Sequence, residues 1–357
     1  MRVACVAGAR PNFMKIKPVV DALESRGASV LVVHTEQHYD DVMSEVFLNE
    51  LGLRSPDIRL GAGSGTHAQQ TARVMEAFER FLHETAPDAT IVVGDVNSTL
   101  ACALVAAKSS SLLGHVEAGL RSRDRSMPEE INRIVTDAIS DVLFAPSRDA
   151  VDNLTSEGHT EDRILLVGNV MIDTLMANLD RAKARPILAT LGVSAGEYGL
   201  VTLHRPTNVD DPDVLSRILG ALGKIAVHLP IIFPVHPRTR AQLDSAIVPD
   251  HIGVVDPLGY LDFVALECQA RLVFTDSGGV QEETTVLGVP CLTLRDTTER
   301  PITVLEGTNM VVGQRPDVIA RAASLVLENP PSPRRPELWD GHASERIADA
   351  LLQAVPR

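Results

Sequence analysis

Short apolar runs of strand type alternate with helix-period stretches along almost the whole chain, and this alternation leaves few folds open to it. Strands are expected near Val3–Ala7, Val30–His34, Thr90–Val93, Leu112–Glu117, Val142–Ala145 and Ile164–Val167, with helical patterns between them. Repeated strand–helix units of this kind build a parallel sheet with helices on both faces. After Gly168-Asn169 a helical stretch, Asp173 to Ala184, runs into Gly and Pro punctuation between Pro186 and Gly199, where a second series begins. Its strands are expected at Gly199–His204, Ile231–His236, Gly253–Asp256, Leu272–Asp276 and Pro290–Leu294, with a short last one at Met310–Val312. A chain of 357 residues exceeds what one core usually supports, so the pattern reads as two doubly wound α/β domains in tandem. The expected limits are 1–168 and 169–340. A Pro-rich linker, Asn329 to Pro336, precedes a final helix from Ala343 to about Val355, so that 341–357 packs back on the first domain.

Composition narrows the partners. The net charge of −14, without a basic block, argues against nucleic acid or an anionic membrane. An anionic small molecule stays open, because a site can be locally positive. Cys5, Cys102, Cys268 and Cys291 lie too far apart for zinc spacing, and their apolar flanks suggest buried, reduced thiols and a cytoplasmic location. No signal-type segment is expected before the first strand, and no apolar run approaches the length of a membrane span. Gly8-Ala9-Arg10-Pro11-Asn12 is not a dinucleotide fingerprint, and no metal or cofactor is expected.

The densest chemistry lies between His115 and Arg133, nineteen residues holding four carboxylates and four arginines. Glu117 ends an apolar run where a buried strand should stop, and strand ends are where α/β sheets bind ligands. Pro128-Glu129-Glu130 reads as a helix start, with Pro in the first turn and carboxylates complementing the helix dipole. Asp95 ends another apolar strand, with Asn97 or Ser98 suited to cap the following helix. Adjacent strand ends would then bring Asp95 and Glu117 into one pocket. The plainer alternative is a structural Asp that caps the helix itself.

Cations accompany them. Arg10 and Lys15 follow the first strand, where a phosphate could be met. In Thr275-Asp276-Ser277-Gly278-Gly279-Val280-Gln281-Glu282-Glu283 a buried strand runs into a Ser-Gly-Gly turn that opens a helix, a natural anion site. Glu283, about one turn inside, suits two ribose hydroxyls. Arg295 and Arg300 bracket the loop after the next strand and could clamp a diphosphate, or simply form a salt-bridged surface loop. His204 and His236 close successive strands of the second series. A lone histidine is more often a satisfied core residue, whereas two at neighbouring strand ends facing an interdomain cleft point to titratable chemistry. The inventory suits a nucleotide-diphosphate sugar: a base removes the proton beside the anomeric carbon while fixed cations stabilise the departing diphosphate.

Gly8-Ala-Arg-Pro11, Gly94-Asp95, His115-Val-Glu-Ala-Gly-Leu-Arg121, Pro128-Glu-Glu-Ile-Asn-Arg133, Asp276-Ser-Gly-Gly-Val-Gln-Glu-Glu283 and Arg295-Asp-Thr-Thr-Glu-Arg-Pro301 resemble, in order and over essentially the whole chain, the bacterial non-hydrolysing UDP-N-acetylglucosamine 2-epimerases. The resemblance implies the glycosyltransferase-B architecture, two Rossmann-like domains with the site in the cleft between them and UDP held by the second. It implies reversible conversion of UDP-N-acetylglucosamine to UDP-N-acetylmannosamine through 2-acetamidoglucal, in a homodimer. Asp95, Glu117 and Glu129 match the family's acid/base carboxylates, and His204 a catalytic or diphosphate-stabilising histidine. Arg10, Lys15, Arg133, Ser277, Gly278, Gly279, Glu283 and Arg300 match positions that hold UDP, with Phe263 near the uracil; His236 is grouped with them. Gln37 and His38 match part of a site for a second substrate molecule acting as an allosteric activator. Two departures stand out: Asn12, where many members carry Glu, and Thr207, where many carry an acid. A UDP-2,3-diacetamido uronate sugar is therefore a competing substrate. A hydrolysing 2-epimerase, a glycosyltransferase and a non-catalytic nucleotide-sugar-binding regulator are the competing functions.

Overall fold

The structure, a computed structural model, describes residues 1–36, 50, 52, 54–235, 237–243 and 247–354. The chain divides into two compact units, Met1–Met176 with Glu337–Arg357, and Ala177–Pro336. Each is an all-parallel α/β sheet.

The first unit carries β1 (Arg2–Ala7), β2 (Ser29–His34), β3 (Ile58–Arg59), β4 (Ala89–Val93), β5 (Leu112–Val116), β6 (Val142–Ala145) and β7 (Ile164–Leu166) in the order β3-β2-β1-β4-β5-β6-β7. The strand order reverses between β1 and β4, and such a reversal opens a crevice at the carboxyl ends of the strands. β4 and β5 are buried along their whole length, as a central strand covered on both faces must be. On one face Phe78, Phe81 and Leu82 of the helix His67–Thr85 pack with Val6, Val33, Val92 and Leu113 of the sheet. The C-terminal segment closes this unit. Trp339, the chain's one tryptophan, is buried and donates its indole N–H to the Pro146 carbonyl at 2.8 Å. Asp173 then accepts the backbone N–H groups of Ala343 and Ser344 at 3.1 and 2.7 Å, capping the last helix, Ala343–Gln353. That helix packs on Arg10–Ser25, with Arg26 paired to Asp349 at 2.5 Å.

The second unit orders β8 (Gly199–Thr202), β9 (Ile231–Pro234), β10 (Ile252–Val255), β11 (Leu272–Thr275), β12 (Cys291–Thr293) and β13 (Asn309–Val311) as β10-β9-β8-β11-β12-β13. Its reversal falls between β8 and β11. Phe233, Phe274, Leu292 and Val201 meet Leu215, Ile218 and Leu222 of the helix Pro212–Ala226 in its core.

Several expected strands stop one or two residues early; at β5 and β11 the residue left just past the ladder is a carboxylate, Glu117 and Asp276. β3, two residues at a sheet edge, carries no pattern in the sequence. Asn97 and Ser98 do not cap the helix Asn97–Ala106, whose cap residue is Val96. Asn97 instead donates to Gln70 at 2.7 Å, and Ser98 shares a hydrogen bond with Thr35 at 2.7 Å. Cys5, Cys102 and Cys291 are buried free thiols, whereas Cys268 is half-buried. No described helix is long and apolar enough to cross a membrane.

Candidate functional site

At the strand-order reversal of the first unit, the turns after β1, β4 and β5 converge. Gly94, at φ 72°, lets them approach: a Cβ there would sit 3.3 Å from the Asn12 amide nitrogen, 3.3 Å from Glu117 Oε2 and 3.4 Å from Lys15 Nζ. Lys15 meets Glu117 at 2.5 Å, and both are largely shielded from water. Glu117 itself stands at φ 71° although it is not a glycine. A left-handed backbone at a side chain of this size stores on the order of 1–3 kcal/mol, and such strain gathers at functional sites.

Asn12 accepts the backbone N–H groups of Gly8 and Ala9 at 3.2 and 2.9 Å and donates to the Val93 carbonyl at 3.2 Å. An amide does both jobs, whereas a carboxylate at that position could not donate to Val93. The departure from Glu is thus tied to the turn that aligns β1 with β4.

Asp95 and Arg133 are brought together, the guanidinium reaching one carboxylate oxygen through Nε at 3.1 Å and Nη2 at 2.6 Å. Arg133, expected as a diphosphate contact, is buried in the helix Pro128–Ile139 and also grips Glu130 at 2.6 Å. Glu130 accepts the Ser122 and Arg123 N–H groups, both at 2.9 Å. Burial pushes the Glu130 carboxyl up, but these donors and Arg133 bring it net below its ordinary value. Glu129, its neighbour, is half-buried in the first turn and makes no hydrogen bond or ion pair among the described residues. The remaining arginines of the segment separate cleanly: Arg121 is buried against Asp137 and Glu157 at 2.7 and 2.6 Å, whereas Arg123 and Arg125 are exposed.

In the second unit β8 pairs with β11 through Thr202 opposite Thr275, so the residues that follow become neighbours. His204 Nδ1 lies 2.8 Å from Asp276 Oδ1. Asp276 is fully buried and also accepts the N–H groups of His204 and Arg205 and the Asn208 amide, at 3.1, 3.0 and 3.0 Å. Burial pushes its carboxyl up, yet His204 and these donors hold it net below the ordinary range, as an acceptor that fixes the imidazole. The His204 side chain keeps 42% of its surface. This Asp–His pair went unread in the sequence, although two polar residues ending two strands were its signal.

Ser277 precedes the helix Gly278–Leu287, and Gly278 gives it room: a Cβ there would approach Glu299 Oε1 to 2.9 Å. Ser277 and Gly279 are half-buried. Arg300 pairs with Glu282 at 2.5 Å and Arg295 with Glu299 at 2.8 Å, all four buried, so the alternative of a salt-bridged surface loop gives way to a buried ion-pair cluster. Glu283 is buried and accepts the Tyr260 hydroxyl at 3.1 Å. Burial, offset by that bond and reinforced by Glu282, pushes its carboxyl up to about 7. Phe263 is half-buried on the helix Tyr260–Glu267. Gln37, His38 and His236 lie outside the described residues, as does the Arg10 side chain.

The family model described as UDP-N-acetylglucosamine 2-epimerase matches residues 21–352. The crystal structure of the Methanocaldococcus jannaschii UDP-GlcNAc 2-epimerase in complex with UDP-GlcNAc and UDP is 41% identical with a TM-score of 0.91, covering 99% of this chain and 100% of that one. The Neisseria meningitidis UDP-GlcNAc 2-epimerase bound to UDP-GlcNAc is 30% identical, also at TM-score 0.91, over 99% and 100%. The UDP-2,3-diacetamido-2,3-dideoxy-D-glucuronate 2-epimerase of Pseudomonas aeruginosa is 42% identical over 99% of this chain and 100% of its own. Two Rossmann-like sheets with polar strand ends at their reversals, matched end to end by these proteins, place the chain in the UDP-N-acetylglucosamine 2-epimerase family.

Proposed function

We propose that the chain interconverts UDP-N-acetylglucosamine and UDP-N-acetylmannosamine without hydrolysis. The observation that carries this reading is Glu117, a carboxylate held in a strained backbone against Lys15 at a strand-order reversal. A carboxylate takes the proton from the second sugar carbon, the bond from the anomeric carbon to the diphosphate oxygen breaks, and its electrons leave with UDP as a carbon–carbon double bond forms. Re-addition of UDP, with a proton returned to the opposite face, inverts the second carbon. Glu117, Asp95 and Glu129 are the groups assigned to the two proton transfers. Arg133 orients Asp95, a role that fits its buried contacts better than a direct grip on the diphosphate. His204, aligned by Asp276, stabilises or protonates the departing diphosphate. The Ser277–Gly279 turn and Arg300 receive UDP, Glu283 the ribose and Phe263 the uracil.

The full-length match to the Pseudomonas aeruginosa enzyme favours a second substrate, the corresponding 2,3-diacetamido uronate nucleotide. A homodimeric, cytoplasmic enzyme feeding an activated sugar to surface polysaccharide assembly, with a second nucleotide sugar as activator, completes the reading. The test is to incubate the protein with each nucleotide sugar separately and follow both by proton NMR. A 2-epimer appearing with the nucleotide still attached supports the proposal and names the sugar. Free UDP with free sugar points to the hydrolysing reaction, and no change with either substrate overturns both readings.

A further inference from the structure

His115 is buried in the middle of the first unit's sheet, and both of its ring nitrogens face acceptors. Nδ1 lies 2.6 Å from Asp137 Oδ1 and Nε2 2.9 Å from the Gly94 carbonyl oxygen. A carbonyl oxygen has no proton to give, so Nε2 must carry one. Asp137, fully buried, also accepts the Gly119 N–H at 3.0 Å and faces the Arg121 guanidinium at 2.7 Å, which is the environment of a carboxylate. Nδ1 must then carry a proton as well. From the hydrogen-bond geometry we infer that His115 is an imidazolium that positions the Gly94-Asp95 turn.

The charges around Asp137 agree with this. Its one guanidinium, Arg121, is shared with Glu157, which the exposed Arg123 also approaches at 3.8 Å, so a charged His115 is the second cation on the buried Asp137. Among the described residues, the strands on either side, β4 and β6, bring no titratable side chain. The neighbouring helix Asn97–Ala106 adds only Cys102, whose thiol burial keeps protonated, and His159 lies near Asp137 and Arg121. Without its second proton the ring would turn a lone pair either on the Asp137 carboxylate or on the Gly94 carbonyl.

The consequence reaches Asp95. Gly94 donates its own N–H to the Val116 carbonyl at 3.1 Å while His115 holds its carbonyl, so the peptide groups on either side of the Gly94 Cα are both fixed from β5. Asn132 then takes the Asp95 carbonyl at 2.8 Å and Arg133 its carboxylate. His115 is a positioning residue, and its catalytic effect rests on the reading that Asp95 takes part in proton transfer.

Two measurements test this independently. Long-range proton–nitrogen NMR of uniformly 15N-labelled protein, with His115 assigned through the backbone, is expected to show both ring nitrogens bonded to hydrogen under the assay conditions. A single bare ring nitrogen overturns the proposal whatever the enzyme's activity. His115→Gln, whose amide can serve only one of the two acceptors, is expected to lower kcat by about 10²-fold through displacement of Asp95, with KM changed less than about 3-fold. A folded variant with unchanged kcat, or with a loss confined to KM, removes the positioning role. Absence of epimerase activity in the parent protein refutes the functional reading but leaves the charge of His115 to be decided by NMR.

Discussion

Replacing Asp276 with Asn tests the histidine dyad at the level of single protons. The carboxylate accepts four donors: His204 Nδ1 on one side, and the His204 N–H, Arg205 N–H and Asn208 amide chiefly on the other. An amide of the same shape keeps its oxygen toward the three, leaving its NH2 toward His204. The imidazole must then accept at Nδ1 and move its proton to Nε2, which reverses the tautomer and removes the counter-charge for an imidazolium. Bonds to a charged acceptor contribute roughly twice what neutral ones do, so the three retained bonds lose about 1 kcal/mol each, or about 3 kcal/mol of stability in all. Loss of general acid–base or charge-stabilising action at His204 is expected to lower kcat by about 10²–10⁴-fold. Urea denaturation and steady-state epimerisation with a nucleotide sugar measure the two effects. An Asn variant with parental kcat, or one whose loss of rate is matched by an equal loss of UDP affinity, would refute the role given to the dyad.

Other consequences follow from the same contacts. Glu117→Gln should abolish hydrogen exchange at the second sugar carbon while UDP affinity by calorimetry stays within about 3-fold, because it removes a proton-transfer group and leaves the second unit untouched. Arg121→Met should cost about 1.5–3 kcal/mol in thermal or urea unfolding, since buried Asp137 keeps His115 and the Gly119 N–H but loses its charge-assisted guanidinium bond, whereas Arg123→Ala at the exposed neighbour should stay within about 0.5 kcal/mol. Gly278→Ala places a methyl 2.9 Å from Glu299 Oε1 and should weaken UDP binding by displacing the Glu299–Arg295 pair, with a stability cost of about 1–3 kcal/mol. Glu283 is pushed up to about 7 in the folded protein. The folded state therefore holds a proton there that the unfolded chain releases at lower pH, so this group's contribution to stability is complete below the ordinary carboxylate range and lost as pH rises toward 7. A ribose acceptor needs the carboxylate, so UDP affinity should rise as pH passes about 7, and Glu283→Gln should flatten that dependence in a calorimetric pH series.

The two-sheet fold was legible because every central strand is a short apolar run between helix-period stretches, a pattern few other folds share. Glu117, Asp95 and His204 were legible as polar residues that end apolar runs. Their partners were not. Asp276 on His204, Arg133 on Asp95 and Lys15 on Glu117 join residues 72, 38 and 102 positions apart, and only strand order and register bring them together. His115 and Asp137 were hidden for a different reason: each sits inside a regular element, where periodicity describes the backbone and says nothing of a buried charge. The strain at Glu117 could not be read from the sequence at all, because nothing in the residue type announces a left-handed backbone. Asn12 shows the reverse case, a departure that looked like a change of substrate contact and is tied to its own turn.

The most direct test of the account is hydrogen exchange during turnover. The protein is incubated with UDP-N-acetylglucosamine, and in parallel with the diacetamido uronate nucleotide, in deuterated water, and the sugar is followed by NMR. Deuterium is expected at the second carbon of both epimers of the accepted sugar, with the nucleotide still attached and with exchange lost in Glu117→Gln. Epimerisation without deuterium incorporation, or deuterated free sugar with released UDP, would contradict it.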